Sequence, residues 1–126
     1  MEKFFFQKTL VAVKFTKIHK GSNPLTDQNQ PLQLVTLKHP RGSYLKAHMH
    51  TPKKRITLSL QECLIVKKGR IRLDLYSPTK ILFKKTYLRE GQALILLNGG
   101  YGIHLVEESE LFEIKNGPFI VDKILI

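Results

Sequence analysis

The clearest pattern in the chain is Arg70-Ile71-Arg72-Leu73-Asp74-Leu75-Tyr76, where charged and apolar residues alternate. A period of two puts Ile71, Leu73 and Leu75 on one face of a strand and Arg70, Arg72 and Asp74 on the other. The turn signal Ser77-Pro78-Thr79-Lys80 follows, and predicts a return strand opening on Ile81-Leu82-Phe83. Other runs rich in Ile, Leu, Val and Phe predict strands at 10–15, 32–38, 44–50, 62–67, 93–97, 102–106, 110–115 and 119–125. Turn-forming clusters separate the later ones, at Arg89-Glu90-Gly91, Asn98-Gly99-Gly100, Glu107-Glu108-Ser109 and Asn116-Gly117-Pro118. No window of helical length carries a sustained apolar stripe of period 3.6. Many short strands at near-regular spacing predict an all-β sandwich or barrel.

At 126 residues, 42% of them hydrophobic, the chain supports one folded domain with one core. The polar stretch Lys20 to Pro31 divides it into an N-terminal arm and loop, 1–31, and a main β body, 32–126. No apolar run approaches the roughly 18–20 residues of a membrane span. The charged start, Met1-Glu2-Lys3-Phe4-Phe5-Phe6, does not read as a signal peptide. A single cysteine, Cys63, has no internal disulfide partner and suits a reducing, cytoplasmic setting; its neighbours Leu64, Ile65 and Val66 predict a buried thiol.

The net charge of +11 is uneven, because residues 1–60 carry 11 basic and 2 acidic side chains. Such a balance attracts nucleic acid, an anionic surface or a phosphorylated ligand without naming one. The cluster Lys53-Lys54-Arg55 is either a solvated loop or an anion contact, with Arg55 the best bidentate candidate.

The chemically loaded segment is Gly42-Ser43-Tyr44-Leu45-Lys46-Ala47-His48-Met49-His50. Histidines two apart on a strand project to one face, close enough to share an ion, and neutral imidazole is a common ligand for Zn, Fe and Ni. His19 and His39 lie among basic residues and read as solvated. Glu62 is either a site residue or a strand-edge carboxylate paired with Lys67, Lys68 or an arginine. No P-loop, dinucleotide fingerprint or Cys-x-x-Cys is present.

Gly42, five residues, His48-x-His50, a spacer, Glu62, six residues and Gly69 resemble the first motif of the cupin superfamily. Gly91 through Gly99-Gly100 to His104 resembles a degenerate second motif, so that the likeness spans roughly 33–118. Within the superfamily the chain looks like the small single-domain bacterial cupins of unassigned activity, which share the Gly-Gly turn and an ending like Glu113-Ile114-Lys115-Asn116-Gly117-Pro118. It departs from the general pattern in the eleven-residue spacer Thr51 to Gln61, and in the second-motif histidine. Strict spacing puts that histidine at Gly102, and the small cupins carry it where this chain has Tyr101.

The resemblance implies a cupin-like antiparallel β-barrel (a double-stranded β-helix, or jelly roll) and a homodimer. It also implies a divalent metal, Zn, Fe, Ni or Mn, held by His48, His50 and Glu62. His104 would complete the set, or Tyr101 would approach through its phenol, or the site would keep three ligands. The resulting expectation is a metal-binding protein that acts on, or binds, a small anionic or carbohydrate-like molecule, with Arg55 and Tyr101 as ligand contacts. A non-catalytic sensing or carrier module is the alternative. A basic barrel that stacks nucleic acid on Tyr44, Tyr76 and Phe83 ranks third, because it leaves the histidine pair unexplained.

Overall fold

A computed structural model describes residues 1–126 and contains strands but no helix, so no helix is long and apolar enough to cross a membrane. Ten strands follow in order: β1 (Glu2–Phe6), β2 (Thr9–Phe15), β3 (Gly21–Pro24), β4 (Val35–Lys38), β5 (Glu62–Lys68), β6 (Arg70–Tyr76), β7 (Leu82–Arg89), β8 (Ala93–Leu96), β9 (Gly100–Leu105) and β10 (Glu110–Lys115). They form a five-stranded sheet in the order β1-β2-β8-β5-β10, a three-stranded sheet β7-β6-β9, and a ribbon β3-β4, all antiparallel.

The alternation in β6 builds the core as its period requires. Ile71, Leu73 and Leu75 are fully buried and meet Phe4, Val11, Leu64, Val66, Leu94 and Leu96 of the larger sheet. Burying each such side chain contributes about 1.5–3 kcal/mol. The opposite face of the larger sheet carries a second cluster, Val13, Phe15, Cys63, Ile95 and Leu97, against which Leu25, Leu32 and Leu34 from the ribbon and its loop pack. The chain is therefore layered as ribbon, five-stranded sheet and three-stranded sheet.

Two glycines make the turns possible. Gly69, between β5 and β6, has φ +93°, and an added Cβ would meet Ser109 and the Glu108 carbonyl. Gly99, before β9, has φ +75°, and its Cβ would run into the Tyr76 carbonyl. Only glycine accepts both the dihedral and the approach.

Several expectations need correction. The sheets are not closed into a barrel. The strands predicted at 44–50 and 119–125 are absent: residues 39–61 and 116–126 pair with no sheet, leaving β10 and β9 as free edges. The N-terminal arm is not detached, because β1 and β2 belong to the five-stranded sheet and Phe4 enters the core. The polar stretch after Lys20 contains β3, whose pairing with β4 runs Gly21↔Lys38 to Pro24↔Val35.

Candidate functional site

Glu62 opens β5 and pairs across the ladder with Leu96 on one side and Lys115 on the other. Alternation along β5 puts it on the same face as Leu64 and Val66, towards the three-stranded sheet. Tyr101 stands opposite Leu75 in β9 and therefore turns to the same interior from the facing sheet. Between them lies a cavity of about 780 Å³, lined among others by Glu62, Tyr76, Tyr101, Lys115, Asp122 and Lys123. The C-terminal segment 119–126 forms nearly half of its wall, so the space is a groove partly open to solvent.

The polar groups at this end of the core are few and close. Lys115 Nζ lies 3.2 Å from Glu113 Oε1 and 3.6 Å from Glu62 Oε1, so one ammonium bridges two carboxylates. Glu113, then Glu62, holds the Lys115 ammonium above the usual lysine range. The Tyr101 hydroxyl is buried and makes no hydrogen bond. Burial, followed by the nearby Glu62 carboxylate, pushes its pKa far up, so the phenol keeps its proton and remains a donor. The Glu62 carboxylate is close enough to act on the phenol through a weak hydrogen bond as well as through its charge, but no bond of full geometry closes between them. A buried donor with no partner costs about 1–3 kcal/mol and is rare in folded proteins.

The other expected site residues lie elsewhere. His48 and His50 are exposed on the unpaired segment, their ring centroids 5.2 Å apart and edge-on. His48 Nδ1 is 3.0 Å from the Lys46 carbonyl. His104 pairs with Arg72 in the ladder and so faces away from Tyr101, on the outer side of the three-stranded sheet. There its Nε2 is 2.9 Å from Asp74 Oδ2, while Arg72 Nε holds Asp74 Oδ1 at 3.1 Å. Arg55 lines a second groove of about 570 Å³ between the segment 55–60 and the C-terminal residues. Of the aromatics proposed for base stacking, Phe83 packs on Phe6 with centroids 5.5 Å apart, Tyr76 lines the interior cavity, and Tyr44 is exposed.

The ligand set implied for a divalent metal does not fit this arrangement. The histidine pair is on an exposed segment, Glu62 is engaged by Lys115 at the groove, and His104 is engaged by Asp74 on the outer side of the three-stranded sheet. No three His, Cys, Asp or Glu side chains converge in a way that could hold an ion.

Lys115, Glu113 and Gln61 escaped the sequence reading. Gln61 is buried, accepts from Leu32 N at 3.1 Å, and donates through Nε2 to Gln30 Oε1 at 2.6 Å, while its own N–H donates to Asn116 Oδ1 at 2.7 Å. It thereby anchors the start of β5 to the end of β10, where Glu62 and Lys115 meet. The one signal for Lys115 and Glu113 was the alternation Leu111, Glu113, Lys115, which sets two charges on an otherwise apolar face.

No protein-family model, curated protein or solved structure matches the chain.

Proposed function

We propose that this chain is a cupin-type small-ligand-binding protein whose interior cavity takes a hydroxyl-rich, carbohydrate-like molecule. One observation carries the proposal: the Tyr101 hydroxyl, buried and without a partner, at a cavity of about 780 Å³. A ligand hydroxyl accepting from it would remove the cost of that orphan donor, and Glu62 supplies an acceptor for a second hydroxyl. Charge favours a neutral polyol over an anion, since Glu62 and Asp122 balance Lys115 and Lys123 along the cavity and Glu113 further engages Lys115 from beside it. The cupin part of the proposal is supported by Gly42, Gly69, Gly91 and Gly99, the motif glycines, all of which take positive φ.

A thermal-shift panel of hexoses, pentoses, sugar acids and sugar phosphates tests this reading. A ligand at a hundred times its dissociation constant adds about 2.7 kcal/mol. The expected result is a rise of several degrees with a neutral sugar, reduced in Tyr101→Phe. A panel in which no hydroxylated compound shifts the wild-type transition contradicts it.

A second reading, binding of a divalent metal, rests on the 5.2 Å separation of the His48 and His50 rings. It needs the pair alone to grip the ion. Titration with Zn²⁺, Ni²⁺ or Mn²⁺, and anaerobically with Fe²⁺, is expected to give binding that disappears in His48→Ala/His50→Ala. Equal binding by the double variant rejects the reading.

A further inference from the structure

The three-stranded sheet β7-β6-β9 turns one face to the core and the other to solvent, and the outer face is built in rows across the strands. In the middle row Arg72 stands between Tyr87 of β7 and His104 of β9. The row on one side sets Arg70 opposite Arg89, and the row on the other sets Asp74 between Lys85 and Gly102. Arg70, Lys85, Tyr87, Arg89 and His104 are exposed. Asp74 is the only acid among these residues, and it is buried.

Two features of this face exceed what a merely solvated surface needs. Arg70 and Arg89 are direct partners across the ladder, and neither makes an ion pair. The acids nearest to them in sequence, Glu90, Glu107 and Glu108, sit in the adjoining turns and pair with neither. Like charges directly opposite destabilise a sheet, and an anion lying over both would reverse that cost. The second feature is a flat middle row. Asp74 accepts from Arg72 Nε at 3.1 Å and Nη2 at 3.3 Å, and its Oδ2 lies 2.9 Å from His104 Nε2. One carboxylate thereby fixes a guanidinium and an imidazole side by side. Tyr87 completes the row, with the Arg70 guanidinium 4.7 Å from its ring centroid. A phenol, a guanidinium and an imidazole thus stand one strand apart, about 4.8 Å each.

We infer that this face binds single-stranded nucleic acid, with a phosphate over Arg70 and Arg89 and a base stacked on the row Tyr87–Arg72–His104. Adjacent rows lie about 7 Å apart along the strands, of the order of the distance from a nucleotide's phosphate to its own base. Stacking on such a row tolerates any sequence, because every base has a π-face, and the arginine adds a cation–π contribution. Lys85, beyond the middle row, extends the positive charge to a neighbouring phosphate. An acidic protein surface would satisfy Arg70 and Arg89 but would leave the planar row unused. The net charge of +11 supplies the long-range attraction. The face lies on the opposite side of the three-stranded sheet from Tyr101, so it is independent of what the interior cavity binds.

Fluorescence anisotropy of a labelled oligothymidylate with the full chain at low salt tests it. The expected result is saturable binding that weakens as salt rises. Tyr87→Ala is expected to weaken it about tenfold, the worth of one stacked base. Arg70→Gln/Arg89→Gln is expected to weaken it further, while Lys53→Gln/Lys54→Gln, an equal loss of charge on the segment before β5, changes it little. No binding at low salt, a duplex bound as tightly as the single strand, or equal losses in the two double variants overturns the inference. If a variant fails to fold, photo-crosslinking of a thiothymidine oligonucleotide to the unmodified protein decides the matter. Attachment at Tyr87 or His104 supports the assignment, and attachment confined to residues outside β6, β7 and β9 overturns it.

Discussion

His104 and Asp74 meet diagonally across the β6–β9 ladder, with Nε2 2.9 Å from Oδ2, on the side of the three-stranded sheet that faces away from Tyr101. Two residues that are near neighbours of the Gly-Gly turn in sequence thus end on opposite faces because they are three apart, an odd number in a strand. Tyr101 lines the cavity, and His104 makes an outer hydrogen bond with Asp74. The parity of that spacing decides which of the two is available to an interior ligand.

The Asp74 carboxylate gives a pH dependence with a definite sign. Burial alone would raise its pKa, but Arg72 and then His104 outweigh burial and hold it below the usual carboxylate range. Its folded pKa lies under its unfolded value near about 3.9, so its contribution is complete above that value and is lost as pH falls through the folded one. In acid titrations of the melting temperature, Asp74→Asn is expected to flatten the fall below pH about 4. At neutral pH the same variant is expected to melt about 5 °C lower, since Arg72 and His104 lose their partner. An unchanged acid limb would show that Asp74 does not set it.

Gly69 and Gly91 are expected to differ in cost when replaced by alanine. Both have positive φ, +93° at Gly69 and +80° at Gly91. At Gly69 a Cβ also comes within 2.8 Å of Ser109 Cα, backbone that cannot step aside, while at Gly91 nothing lies within 4 Å. Gly91→Ala should cost about 1 kcal/mol from the dihedral alone, and Gly69→Ala about 2–4 kcal/mol. Urea denaturation curves of the two variants give the comparison directly. Equal costs would mean that the turn at Gly69 relaxes.

Cys63 is expected to be inert in the folded protein. It is 2% exposed, between sheet and ribbon, and burial pushes its thiol up to about 11. Thiolate is the reactive form, so labelling by an aromatic disulfide reagent at neutral pH should be slow natively and fast in denaturant. Fast labelling of the native protein would indicate that the ribbon β3-β4 opens.

Much of the architecture was legible in the sequence. The alternation in β6 placed Ile71, Leu73 and Leu75 in the core, and the turn clusters located β5 to β10 to within a few residues. The segments 44–50 and 119–125 have strand composition, yet composition states only that a segment suits a sheet; it supplies no partner strand. β1 and β3 went unseen for a different reason. Phe4-Phe5-Phe6 shows no alternation, and Gly21-Ser22-Asn23-Pro24 is a turn composition that pairing with β4 overrides. At the candidate site, Glu62 and Tyr101 were both named from the sequence, and both line the interior cavity. Lys115 was missed because it is an exposed lysine on an edge strand, which nothing in the sequence sets apart from a solvated one.

The Tyr101 phenol offers the most direct measurement, because removing its oxygen separates binding from folding. The hydroxyl is buried and closes no well-formed hydrogen bond, with the Glu62 carboxylate the nearest acceptor, so Tyr101→Phe removes a desolvated dipole and keeps the ring packed against the core. Calorimetric titration of the wild type and of Tyr101→Phe with the sugar that most raises the melting temperature is the deciding experiment. The account predicts that the empty variant melts at the same temperature or slightly higher, and that its affinity falls about tenfold or more, the worth of one buried hydrogen bond. Equal affinity in the two proteins, or a variant that is less stable when empty, would contradict it.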